Sequence, residues 1–234
     1  MRRSIKKWGM IVVMVAGVAS TIGCTSRLPT SEEQAAVTLK TNQPLTEVRY
    51  IEETTGLQWV SPSLDVTRYT ALIVEPVALH PLAQNVDQIP TSVLEKVSQR
   101  LTQRVSQQLS VGTPIVEVAN PHTATLKIDI TRASTEMEEL QITEVLPYGA
   151  LIGGAKALLG TRDRNVRILV ESQLLDSVSG EVLAERVSVL LAEDILENDA
   201  ETLRYEQIKA AVDKFTQDIV DFIRITAYEA KQNS

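Results

Sequence analysis

Val166-Arg167-Ile168-Leu169-Val170-Glu171-Ser172-Gln173-Leu174-Leu175 and Glu181-Val182-Leu183-Ala184-Glu185-Arg186-Val187-Ser188-Val189-Leu190-Leu191 flank the short stretch Asp176-Ser177-Val178-Ser179-Gly180. Both flanks are rich in the branched apolar residues that suit a pleated surface, and the stretch between them has turn chemistry, so the three together predict a β-hairpin. Upstream, Thr123 to Thr131 alternates, with Leu126, Ile128 and Ile130 on one face and Lys127, Asp129 and Thr131 on the other, as a half-buried strand does. Tyr69 to Val77 is a continuous apolar run that suits a central strand buried on both faces, with Pro76 ending its pairing. Pro114 to Val118 adds a short strand.

Two helices complete the pattern. Val93, Val97, Leu101, Val105 and Leu109 recur every four residues in Thr91 to Ser110, Leu94 widens the stripe, and Gly112 and Pro114 close it. Asn198, with Glu201 in capping-box spacing, predicts a second helix over Ala200 to Ala227 with Ile208, Val212, Phe215, Ile219, Phe222 and Ile223 inward. The order strand, helix, strands, helix gives an α+β fold: a mixed, mostly antiparallel sheet of about five strands with two helices packed on one face.

The N-terminus carries an address. Arg2, Arg3, Lys6 and Lys7 precede an uncharged apolar stretch from Trp8 to Ser20, and this is the build of a secretory signal peptide. The stretch falls short of the roughly 20 strongly apolar residues that a membrane span needs, which favours removal over retention. Thr21-Ile22-Gly23-Cys24 resembles the lipobox of bacterial lipoproteins, with Thr21 in place of the usual leucine. That resemblance implies cleavage before Cys24, a diacylglyceryl thioether on its sulfur and an acylated amino terminus. Several acyl chains, of palmitate length or similar, at about 0.8 kcal/mol per buried methylene hold a protein on a membrane effectively permanently. In such lipoproteins an aspartate after the cysteine commonly retains the protein in the inner membrane; Thr25 and Ser26 stand here instead, which implies the outer membrane and a periplasmic domain.

Three segments follow: residues 1–23 as signal peptide, 24–45 as acylated cysteine and flexible tether, and 46–230 as a single periplasmic domain. Thr25 to Leu45 is polar, contains Pro29 and Pro44, and has one weakly helical patch, Glu32 to Leu39. As a free coil it would reach on the order of 25 Å. Glu47 to Pro62 holds Tyr50, Ile51, Leu57, Trp59 and Val60 and predicts an extended arm packed against the domain. Cleavage leaves 211 of 234 residues, with 19 basic against 30 acidic and so a net charge of −11. This balance argues against nucleic acid and against adhesion to anionic headgroups, since both need clustered Lys and Arg. Cys24 is the sole cysteine, so no disulfide is expected and stability must come from burial.

Candidate chemistry is sparse. In Pro147 to Gly160, Ala155 separates Gly154 from Lys156 and Ala157 replaces the hydroxyl residue, so the phosphate-loop pattern fails. Gly149 and Gly153, four apart, would let another helix or a bilayer approach closely, and Tyr148, Gly149, Gly153, Gly154 and Lys156 form a possible partner or ligand surface; the plainer reading is a loop that packs apolar side chains over the sheet. His80 and His122 sit beside Pro81 and Pro121 with no second ligand at metal-binding spacing. Ser177, His122 and Asp129 assemble a triad only on paper, because no serine stands in a nucleophile elbow. The carboxylates Glu136, Glu138, Glu139 and Glu193, Asp194, Glu197, Asp199, Glu201 lack the spacing of a calcium loop. No cofactor and no metal is expected.

The Tyr50 region, Asp65 to Val77 with Tyr69 and Glu75-Pro76-Val77, the Pro147 to Gly160 loop and the Asp176 to Glu181 hairpin resemble a set of bacterial lipoproteins filed as domain of unknown function 3313, over about residues 47 to 192. The resemblance implies a cell-envelope lipoprotein of unassigned activity and carries over no catalytic residue. The expectation is therefore a non-enzymatic module that binds another envelope protein or assists an envelope complex. The alternatives are a lipid or glycan binder using the 147–160 segment and, behind it, a hydrolase.

Overall fold

The computed structural model describes residues 27–39, 43–50, 55–83, 86, 88–137, 163–198 and 200–232. The hairpin forms its centre. Strands β6 (Arg164–Asp176) and β7 (Val182–Leu196) pair antiparallel, in a register that sets Leu174 opposite Ala184 and Ile168 opposite Leu190. Asp176 builds the turn: its Oδ1 accepts from the backbone N–H groups of Val178 (3.0 Å) and Ser179 (2.8 Å), and Gly180 adopts the positive φ of 71° that suits glycine. β5 (Thr123–Met137) pairs antiparallel with β6, bulges between Ile130 and Arg132, and buries Leu126, Ile128 and Ile130 completely.

The sheet has seven strands in the order β1-β2-β7-β6-β5-β3, with β4 also on β5. It is mostly antiparallel; β3 (Ala71–Val74) and β4 (Ala78–Leu79) run parallel to β5. The count exceeds the five expected because β4 is added and the Glu47 to Pro62 arm pairs with itself as β1 (Thr46–Arg49) and β2 (Thr55–Val60), with β2 antiparallel to β7. The apolar run at Tyr69 to Val77 is also not central. β3 closes one end of the sheet order, and the backbone of Leu72 is satisfied on its outer side by Pro114 O (2.9 Å) and Val116 N (3.0 Å). Pro114 to Val118 thus supplies one isolated bridge, Leu72 to Ile115, rather than a strand. Bonding on both sides explains why β3 has the composition of an interior strand.

Both long helices lie on one face. α2 (Thr91–Leu109) buries Val93, Leu94, Val97, Leu101, Val105 and Leu109, the stripe that its spacing predicts. α3 (Tyr205–Gln232) buries Ile208, Val212, Phe215, Ile219 and Phe222. It starts later than its capping signal: Asn198 Oδ1 accepts from Ala200 N (2.8 Å) and Leu203 N donates to Gln88 O (2.8 Å), so residues 200–204 form a turn and strap rather than a first helical turn. The cap comes instead from Gln207, whose side chain accepts from Arg204 N (2.8 Å). Arg100 grips Asp213 with Nε (2.8 Å) and Nη2 (2.9 Å) and joins the helices laterally.

The opposite face is covered too, and here the tether expected over 24–45 is corrected. Residues 28–39 lie against β5 and β6. The short helix α1 (Ser31–Ala35) is closed by a Thr30–Glu33 capping box, and Val37, Leu39 and Leu45 pack with Leu57, Leu169, Val187 and Val189. Five residues make no stable helix alone. Burial against the sheet is what holds this one, and β6 is consequently buried along nearly its whole length.

Candidate functional site

Arg167, on the α1 side of β6, is the clamp that holds the N-terminal segment. Its guanidinium donates from Nε to Glu33 Oε1 (3.1 Å) and from Nη2 to Glu33 Oε2 (2.9 Å), and Nη2 also reaches Leu28 O (3.0 Å). Nη1 lies 3.5 Å from Glu136 Oε1. Burial pulls the Glu33 carboxyl upward, but the bonds from Arg167 and from Thr30 outweigh it and hold the group below its ordinary value. Burial likewise works against the Arg167 cation, and Glu33 overcomes it, so the guanidinium is held above its usual range. Four residues along the strand and on the same face, past Leu169, Glu171 accepts from the Thr38 N–H (3.0 and 3.1 Å) and from its hydroxyl (2.8 Å). Arg132 pairs with Glu32 at 2.5 Å nearer solvent.

A second buried pair sits on the helical face. Arg186 of β7 meets Asp218 of α3 through Nε (2.9 Å) and Nη2 (2.5 Å), with both side chains 1% exposed. Its Cζ lies 4.1 Å from the Tyr50 ring centroid, Gln58 Oε1 accepts from Nη1 at 3.4 Å, and Tyr50 donates to the same oxygen. Gly56 makes room for this: a Cβ there would stand 2.8 Å from Arg186 Cζ and 2.9 Å from Val187 O. Burial drives the Tyr50 hydroxyl well above the ordinary phenol value, against the pull of Arg186.

Beside this pair a cleft of about 320 Å³ opens between the C-terminal part of β7 and α3. Ser188, Leu191 and Ile195 line the strand side, Lys214 and Phe215 the helix side, and Arg27 adds to the lining. β2 stops at Thr55, opposite the 188–189 region, and the cleft begins where that cover ends. Its walls mix aliphatic carbon with a few charged side chains, Arg27, Glu193, Lys214 and Asp218.

The residues singled out from sequence fall in two groups. Cys24 and the surface of Tyr148, Gly149, Gly153, Gly154 and Lys156 lie outside the described residues; the sheet residues that bracket the latter segment, Met137 and Arg164, are cross-strand partners. His80 and His122 are described, and each is engaged locally. Leu82 N donates to His80 Nδ1 (3.2 Å), and His122 Nδ1 lies 3.1 Å from Arg68 O. Ser177 accepts from Thr125 (3.0 Å) and Asp129 faces Lys127 (3.3 Å), so the members of the paper triad are each bonded elsewhere. Among the described residues no group of three or more His, Cys, Asp or Glu side chains could hold a metal ion, and no helix is long and apolar enough to cross a membrane. The clamp and the Arg186 pair were not anticipated. Their signal was present: a charge inside a run otherwise buried must find a partner.

The model of the protein family of unknown function DUF3313 matches residues 38–219. The chain belongs to this family. It is also similar to the uncharacterized lipoprotein YdcL of Escherichia coli strain K12, with 25% identity over 211 residues, 90% of this chain and 94% of the relative. A bacterial lipoprotein of unassigned activity is the class that these likenesses support. Among solved structures, this DUF3313 chain is similar to protein XCC0632 from Xanthomonas campestris (TM-score 0.40, 13% identity, 74% of this chain and 93% of that one). It is similar also to the PelC dodecamer from Paraburkholderia phytofirmans (TM-score 0.36, 11% identity, 70% and 94%).

Proposed function

We propose that this DUF3313 protein is an outer-membrane lipoprotein, acylated on Cys24, whose periplasmic domain works by binding another envelope protein and not by catalysis. The observation that supports a binding role is the use to which the fold puts its buried charge. Arg167 pairs with Glu33 and Arg186 with Asp218 across elements, which stiffens the domain, while the β7–α3 cleft, lined in part by Asp218, stays open to solvent. Rigid walls around an accessible, mixed-polarity groove are what a docking module needs. Thr25 after the acylated residue supports the outer membrane.

Crosslinking of intact envelopes, followed by purification of the acylated protein, tests the binding role: one envelope protein should be recovered in constant ratio, and its recovery should fall when Leu191 and Ile195 in the cleft are changed to Asp. Retention of the partner by that variant would refute the cleft. Replacing His80 and His122 together by Gln should leave the cellular phenotype intact; loss of phenotype with retained folding would overturn the non-enzymatic reading. For the anchor, labelled palmitate should mark the natural protein and not Cys24→Ala, and Thr25→Asp should shift the protein to inner-membrane fractions. A natural protein already found there would refute the location.

A further inference from the structure

We propose that the domain sits directly on the surface of the bilayer that anchors it, docked on zwitterionic headgroups by the end of the sheet that holds residues 27 and 28, instead of hanging free on a tether. The inference rests on acylation of Cys24. It comes from where the chain first becomes fixed. Leu28 is bound through its carbonyl to Arg167, whose side chain is 4% exposed, and Pro29 and Glu33 are buried just beyond it. Leu28 stands four residues after Cys24. At roughly 3.3–3.6 Å per residue for a fully extended chain, the two Cα atoms lie within about 14 Å of each other whatever the conformation between them.

That bound is set by covalent geometry alone, and it is comparable to the thickness of two headgroup layers, about 5–8 Å each. A coil of 20 residues would have allowed about 25 Å. The clamp therefore removes most of the tether and leaves the Arg27 end of the domain nowhere to go but the membrane surface.

The direction of the chain identifies which end this is. Leu28 meets Arg167 and Thr38 meets Glu171, so the segment runs along β6 away from its start, and Arg27 lies by the last residues of β7. The β6–β7 turn is at the far end, about 40 Å along a strand of 13 residues at roughly 3.3 Å each. Side chains toward this end carry both signs: Glu193, Lys214 and the partly exposed Arg27 line the cleft, and Arg132 pairs with Glu32. Such a mixture fits a zwitterionic headgroup layer, and the mature chain's net charge of −11 opposes an anionic one. Contact is then imposed by the short spacer and should not respond to salt.

The test exploits the single cysteine. With Cys24 held in a thioether, an introduced cysteine is the one free thiol. The acylated full-length protein carrying a fluorophore on Glu193→Cys or on Val178→Cys is reconstituted in phosphatidylethanolamine-rich vesicles whose headgroups bear a nitroxide quencher. The label at 193 should lose more than half of its emission and the label at 178 almost none, equally at low and high salt. A flexible Gly/Ser linker of about 20 residues, inserted between Ser26 and Arg27, should restore the emission at 193. Protein that floats with the vesicles but shows equal quenching at both sites, or keeps its quenching at 193 with the linker present, overturns the docking alone. Protein that does not float overturns acylation at Cys24 and the docking with it.

Discussion

Removing one half of the Arg186–Asp218 pair should be among the most damaging changes in the domain. Both side chains are 1% exposed, and Asp218 takes two of the guanidinium's five N–H groups at 2.9 and 2.5 Å. In Asp218→Ala the cation would retain a long bond to Gln58 at 3.4 Å, the Tyr50 ring at 4.1 Å and the more distant charge of Asp221. Breaking a buried ion pair from one side costs about 3–5 kcal/mol, because the survivor stays desolvated and uncompensated. Against a total stability of about 5–15 kcal/mol this is a fifth or more, and at roughly 2–4 °C per kcal/mol for a domain of this size the midpoint should fall by about 6–20 °C. Urea unfolding followed by circular dichroism measures it, with an unchanged m-value showing that the loss is one of stability. Replacing both partners by apolar residues of similar volume, Arg186→Met with Asp218→Leu, should recover most of the loss, since no charge is then stranded. A loss below about 1 kcal/mol in Asp218→Ala, or a double variant as damaged as the single, would show that water reaches the pair and refute the reasoning.

Leu101→Asp places an unpaired charge on the fully buried stripe of α2 and should cost several kcal/mol, abolishing the cooperative thermal transition; an unchanged midpoint would mean that α2 is not packed on the sheet. Glu33→Ala should raise hydrogen exchange at the amides of Val37 and Thr38 while those of β5 to β7 keep their protection, and unchanged exchange would show that α1 is held by its apolar contacts alone. Asp176 accepts from Ser179 N, the Tyr69 hydroxyl and Val178 N, bonds that pull its carboxyl from 3.8 down to about 2. A depressed folded-state value adds stability above the unfolded value that is lost as pH falls through the folded one, so the stability gap between the natural protein and Asp176→Asn should be constant above about pH 5 and shrink between about pH 4 and 2. Urea midpoints across that range check it, and a constant gap would remove the turn from the acid response.

Local periodicity made α2, β5 and the β6–β7 hairpin legible, because each is an element whose own residues alternate or recur at the spacing of its backbone. Where the reading failed, the missing information was nonlocal. The run around Leu72 has the composition of a strand bonded on both sides, and it is, but one partner is a single bridge at Ile115, which no pattern around Tyr69 announces. Asn198 and Glu201 carry a capping signature, yet the bond from Leu203 to Gln88, 115 positions away, holds the segment off the helix until Tyr205. The tether reading failed for the same reason: Thr25 to Leu45 is polar on average, and average polarity does not register one carboxylate that is buried because a guanidinium waits for it.

That guanidinium gives the clearest link from sequence to placement in the cell envelope. Arg167, Leu169 and Glu171 alternate on one face of β6, and a strand that faced only its own helices or only water would have no use for that triplet. Arg167 fixes the start of the N-terminal segment at Leu28 and Glu33, Leu169 gives its apolar residues a surface to pack on, and Glu171 fixes its far end at Thr38. Three same-face residues spanning roughly 13 Å at about 3.3 Å per residue thus hold a segment whose length without them would be slack. Slack there would separate the domain from the acyl chains proposed on Cys24, and its removal would turn that proposed anchor into a constraint on how the whole domain meets the membrane.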